Sequence, residues 1–421
     1  MRNIISNIIV GVVSAALYGI YGVSAFVSDH QTGSKSVISY GQRAFIQSKF
    51  MGDQREFYVY LPEDYNQTTK KYPVIYVLDG GFLFEPTVTV SKIRAARDLM
   101  PHSIVVALPN DTNALRFGMG MPKKRTPDTP RISFEHGKAK EMFSFLEKEL
   151  VPYIDGHYRT ARHRSLVGMS PTVGPVTTGY LQGSTTFQAY ISFAADADFY
   201  TMDGSLIADK LVMEAQARQK NQQHKSWLYI GRAQADMGGK EGRTAVFNQL
   251  SMSFKQLTGN SHAVVDIVPD SEHYASALEG LINAFAFIYP AERMSPDYVA
   301  FWESDDPYQA IRSFYNDLSA NYGFEIYPAL DGYWHGFSLR GLTWQLVNRK
   351  KYEALLQVSD WGLSIYPQSF QLYARKARYY EAQGMTEKAI HAADQAYQLA
   401  KARNNPLAGA LKSMRDQLQV E

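Results

Sequence analysis

Ser170, His273 and Asp236 are the residues of this chain whose types and order could do chemistry together. Ser170 lies in Val167-Gly168-Met169-Ser170-Pro171-Thr172-Val173-Gly174. An apolar run, Leu166-Val167-Gly168, leads into it. Thr172 to Leu181 leads out with helical composition interrupted by Gly174 and Pro175. A strand, a sharp turn bearing a serine and then a helix are the setting of a nucleophile elbow, whose pattern is G-x-S-x-G. Gly168 fills the first glycine position, Thr172 stands at the second, and Pro171 follows the serine. A serine hydroxyl is a weak nucleophile and needs a base. His273, in Pro269-Asp270-Ser271-Glu272-His273-Tyr274, follows the last predicted strand and is the candidate base. An orienting acid is expected between the two, after the strand ending at Gly231. Asp236 fits that place best, Glu241 is the alternative, and a Ser-His pair without an acid is the third arrangement. Ser170-Pro171 also has a bland explanation, a helix N-cap followed by proline at the first helical position.

The elements needed to position these residues are legible around them. Arg43 to Phe50 and Glu56 to Leu61 read as two strands about the turn signal Gly52-Asp53. Pro73 to Leu78 and Ile104 to Leu108 are short continuous apolar runs, as in strands buried on both faces. A helix is expected over 87–100 and another over Lys138 to Tyr153, where Met142, Phe145, Leu146 and Leu150 recur at helical spacing. Further strands at 165–168, 187–194, 227–231 and 263–268 alternate with helices at 205–219, 243–257 and 275–288. This alternation predicts an α/β fold, a mainly parallel sheet with helices on both faces and the opening hairpin at its edge. Asn110 to Arg131, rich in Gly, Pro and Thr, interrupts the rhythm as a long loop.

Taken in order, the opening hairpin, Val77-Leu78-Asp79-Gly80, Tyr153-Ile154 with Tyr158-Arg159-Thr160, the Gly168–Ser170 turn and Ser271-Glu272-His273 resemble one family of α/β-hydrolases. It is the esterase family that includes esterase D (S-formylglutathione hydrolase) and the enterobactin-type siderophore esterases. The resemblance covers roughly residues 40–290. It implies an α/β-hydrolase fold, a serine carboxylic-ester hydrolase activity, a small-molecule ester substrate, Ser170 as nucleophile and His273 as base. It implies that the Asp79–Phe82 turn supplies an oxyanion-hole amide, from Gly81 or Phe82. The fold's second oxyanion donor is the amide of the residue after the serine. Here that is Pro171, which has no N–H. Lys123, Lys124, Arg125 and Arg131 of the long loop would suit an anionic or polyphenolic acyl ester.

At 421 residues the chain suits two domains. Its net charge of +2 supplies no field for nucleic acid, so no nucleic-acid partner is expected. Without cysteine, disulfides and thiolate metal sites are excluded. No His-x-x-x-His pair occurs, so no metal and no cofactor are expected. Gly238-Gly239-Lys240-Glu241-Gly242 lacks the spacing of a phosphate loop. Ile4 to Phe26 is uncharged, follows Arg2 and contains Val23-Ser24-Ala25, which predicts a signal peptide over 1–27 and export to a periplasm. The alternative is an uncleaved inner-membrane anchor. Residues 40–290 are expected to form the hydrolase domain and 300–421 an all-α region. There Ala354 precedes Ala389 by 389 − 354 = 35 positions, a spacing that resembles tetratricopeptide repeats. The predicted units are 335–367 and 368–402, with a capping helix over 405–418. These helices are the candidate surface for a protein partner. Together with Pro171 they motivate the alternative function, a catalytically degenerate hydrolase fold serving as a binding or scaffold protein.

Overall fold

The computed structural model describes residues 40–110, 137–221, 224–238, 242–332 and 336–420. The N-terminal segment 4–27, most of the 110–131 loop and Glu241 lie outside the described residues. Among the described residues no helix is long and apolar enough to cross a membrane.

The strands are β1 Gln42–Gln47, β2 Gln54–Tyr60, β3 Tyr72–Val77, β4 Ile104–Ala107, β5 Thr160–Met169, β6 Ala189–Phe193, β7 Ser226–Ala233 and β8 Ser261–Val268. They form one eight-stranded sheet in the order β1-β2-β4-β3-β5-β6-β7-β8. The β1–β2 and β2–β4 pairs are antiparallel, and every pair from β4 to β8 is parallel. The sheet divides its side chains by strand period. Val74, Tyr76 and Leu78 join one core with Leu166, Tyr190, Leu228 and Ile230. Ile75 and Val77 join the opposite core with Val167, Ile191, Phe193 and Tyr229. Covering both faces is why these strands read as unbroken apolar runs.

The helices follow the expected alternation. They are α1 Gly80–Ala95; α2, a continuous run through Ala139–Phe145, Leu146–Leu150 and Val151–His157; α3 Val173–Leu181; α4 Ile207–Lys220; α5 Arg243–Lys255; and α6 Ser276–Ile288. The first differs from the expected 87–100. The helix starts directly after β3 and contains Gly80, Gly81 and Pro86. Gly80 is needed there because a Cβ would lie 2.9 Å from both the Ala107 Cβ and the Leu108 carbonyl carbon. The helix stops before Asp98, which adopts φ +55°.

Beyond residue 290 the chain is helical: α7 Ala291–Met294, α8 Tyr298–Glu303, α9 Pro307–Tyr322, α10 Leu339–Asn348, α11 Tyr352–Ile365, α12 Phe370–Ala382, α13 Thr386–Ala402 and α14 Ala408–Leu418. Ala377, Ala389, Ala393 and Ala396 are fully buried, so the α12–α13 hairpin closes on small residues. The helices up to Tyr366 share one core with α1, α6 and one face of the sheet. Tyr322 and Phe324 close around the buried His163 of β5, together with Trp227 and Tyr289. The chain from Tyr40 onward is accordingly a single compact unit.

Candidate active site

Strand β5 delivers Ser170 to the carboxyl edge of the sheet. Met169 is still extended, with φ −136° and ψ 134°. Ser170 then turns to φ +55°. A non-glycine residue held in this left-handed region carries strain of roughly 1–3 kcal/mol, which the surroundings must impose. Pro171 and Thr172 complete a tight 3₁₀ turn into α3. Gly168 makes the turn possible, since a Cβ there would stand 2.5 Å from the Thr172 carbonyl oxygen and 2.8 Å from a Val176 methyl. Thr172 needs no glycine freedom, because its own backbone is right-handed at φ −80° and ψ −2°. The second glycine of the pattern is therefore replaced without blunting the elbow.

His273 follows β8 and Asp236 follows β7, in the short turn Gln234–Met237. All three side chains thus stand at the same edge, on β5, β7 and β8. The Ser170 Oγ lies 3.1 Å from His273 Nε2, and His273 Nδ1 lies 2.8 Å from Asp236 Oδ2. With the carboxylate accepting from Nδ1–H, the neutral ring offers Nε2 as acceptor and the serine hydroxyl donates to it. Ser170 makes this bond in place of a helix cap: the cap of α3 is Thr172, without a side-chain cap bond. Asp236 and His273 are 20% and 32% exposed, so the relay is reachable from solvent without being flooded by it.

Arg243, which the sequence reading did not single out, fixes the acid. Its Nη1 donates to the Asp236 carbonyl at 2.9 Å and its Nε to Asp198 at 2.9 Å. The guanidinium is nearly completely buried. The Ala235 amide also donates to the Ser271 carbonyl at 3.3 Å, tying the acid turn to the histidine turn. A lone arginine at a helix start gives no sequence signal for either role.

The Gly81 and Phe82 candidates lie at the start of α1, just after β3, which neighbours β5. Gly81 is exposed and is the second helical residue, where a helix offers its own amides no acceptor. The Phe82 amide donates to the Asp79 carbonyl at 3.2 Å. Gly81 is therefore the better placed of the two. The Phe82 ring, 41% exposed, packs edge-on against Tyr274 with centroids 6.3 Å apart. Tyr274 in turn lies against His273, so two aromatic rings border the site. Ser170 also lines a recess of about 20 Å³ with Gly174, Ser192, Ala195 and Ala197, room for about one water. Among the described residues no group of three or more His, Cys, Asp or Glu side chains could hold a metal ion.

A family model described as Putative esterase matches residues 48–270. No curated protein gives a significant match to the chain. Solved structures do. An uncharacterised protein from Capnocytophaga ochracea is 18% identical with a TM-score of 0.54, over 90% of this chain and 99% of that one. An IroE-like serine hydrolase from Shewanella oneidensis is 20% identical with a TM-score of 0.55, over 76% of this chain and 96% of that one. At such identities the likeness is one of fold. The first coverage is too large to leave out the C-terminal helices.

Proposed function

We propose that this chain, which belongs to the Putative esterase family, is an exported serine esterase that hydrolyses a carboxylic ester through an acyl-enzyme. The observation that carries this is the continuous chain from Ser170 Oγ to His273 Nε2 at 3.1 Å and from His273 Nδ1 to Asp236 at 2.8 Å, with Ser170 at φ +55°. Oγ attacks the ester carbonyl carbon as His273 takes its proton. Asp236 holds the ring in the accepting tautomer and stabilises the imidazolium. The tetrahedral oxyanion is received by the Gly81 or Phe82 amide. Collapse breaks the bond to the alcohol, which leaves with the proton from His273. Water then attacks the acyl-serine, with His273 again base and then acid. Pro171 supplies no amide, and a missing oxyanion donor costs roughly 10²–10³ in turnover. Turnover slower than a two-donor site allows is part of this proposal. The basic residues of the 110–131 loop support an anionic or polyphenolic acyl group, and the uncharged 4–26 run supports export to a periplasm.

Pro171 also favours a second reading, a degenerate hydrolase fold used as a binding platform with the repeat-like helices as its contact surface. Fluorophosphonate labelling separates the two. The active reading expects labelling of the parent chain and none of Ser170→Ala or His273→Ala. A folded parent that does not label selects the platform.

A further inference from the structure

Thr172 occupies the place where the elbow pattern has glycine, and its side chain is fully buried. Its Oγ1 accepts the Met169 backbone N–H at 2.8 Å. The same oxygen hydrogen-bonds the Asp79 carboxylate and lies 3.0 Å from the Met169 carbonyl. One hydroxyl has one proton, and the Asp79 carboxyl oxygen, nearer than the Met169 carbonyl, takes it. Asp79 is 2% exposed and caps the start of α1, where its carbonyl receives the Phe82 and Leu83 amides at 3.2 and 2.9 Å. A single hydroxyl therefore ties the residue before Ser170 to the residue that begins the Gly81–Phe82 turn.

We propose that Thr172 is a positioning residue that sets the distance between the nucleophile and the oxyanion-binding turn; this rests on the serine-hydrolase reading of Ser170. The tie matters more here than in a two-donor site. Pro171 contributes no N–H, so the oxyanion depends on the one turn that Asp79 anchors. Displacing such a donor by about 1 Å costs up to roughly 10²-fold in rate. The Leu78 amide to Val167 carbonyl bond at 2.9 Å holds β3 and β5 together below the turns. Above it, the Thr172–Asp79 contact is a side-chain link between the two turns. The hydroxyl of Thr172, saturated in this way, is not itself an oxyanion donor.

The test compares Thr172→Val, which keeps the shape and removes the hydroxyl, with Thr172→Ser, which keeps the hydroxyl. On p-nitrophenyl acetate the valine variant should lose roughly 10–100-fold in kcat with KM within about threefold, and the serine variant should stay within about threefold of the parent. Exchange of the Met169 amide with deuterium should be about tenfold or more faster in the valine variant and unchanged in the serine variant. A valine variant with kcat within about twofold of the parent overturns the proposal, as does unmoved exchange at Met169. If Thr172→Val does not fold, Asp79→Ala, which removes the acceptor of the Thr172 hydroxyl and keeps the Asp79 backbone carbonyl, replaces it with the same kcat expectation and the same overturning result. A parent that neither labels nor turns over ester ends the hydrolase reading and the catalytic consequence with it, while exchange at Met169 still decides whether the Met169–Thr172 half of the tie exists.

Discussion

Acid should destabilise this protein through His163, and the size of the effect follows from its surroundings. His163 is 1% exposed on β5, among the rings of Trp227, Tyr289, Tyr322 and Phe324. Burial pushes its pKa down from 6.5 to about 3. Between those values the unfolded chain binds a proton that the folded chain refuses, so stability falls as pH drops below the unfolded pKa and stops falling near the folded one. Each pH unit in that window is worth up to about 1.4 kcal/mol, so at about pH 5 the loss is roughly 2 kcal/mol. That is a large part of a typical margin of about 5–15 kcal/mol. His163→Leu removes the titration and leaves the carboxylates untouched. Urea unfolding of both proteins at about pH 7.5 and pH 5, followed by tryptophan fluorescence, isolates the term. The parent should lose roughly 2 kcal/mol more than the variant between the two pH values. The constant cost of the substitution cancels in that comparison. Equal losses in parent and variant would refute the argument that His163 is buried neutral.

Other substitutions test the site piece by piece. Asp236→Asn should lower kcat by roughly 10²–10⁴, because an amide can turn its NH₂ to Nδ1 and force the wrong tautomer; saturating ester hydrolysis reads it. Gly168→Ala puts a methyl 2.5 Å from the Thr172 carbonyl. It should cost roughly 1–3 kcal/mol in a denaturant melt and abolish fluorophosphonate labelling. Arg243→Met leaves the Asp198 carboxylate, 12% exposed, without this cation and releases the Asp236 carbonyl. It should cost roughly 3–5 kcal/mol in stability, with slower turnover in the fraction that still folds.

The sequence by itself carried the alternation of strands and helices, because a strand buried on both faces must be apolar along its whole length. It also carried the candidates Ser170, His273 and Asp236, because each follows a strand that ends at one edge of a parallel sheet. Local patterns encode such things: period, turn residues and chain order. They also misled locally, as at α1, expected over 87–100 and found from Gly80, with Gly80 and Pro86 inside it. A close approach to β4 is what requires the first of them. What only the tertiary structure decided is contact between distant residues. Asp236, His273 and Ser170 are separated by tens of positions, and their 2.8 and 3.1 Å bonds exist because β5, β6, β7 and β8 run parallel in that order and end at the same edge. Arg243 under Asp236, Thr172 against Asp79, and Tyr274 facing Phe82 leave no periodic trace, since each pairs a residue with a partner on another element. The C-terminal helices read as a separate region from their own period, yet Tyr322 and Phe324 complete the box around His163 on the strand that ends at the serine. Side-chain periodicity records which face of an element is buried. It does not record what that face is buried against.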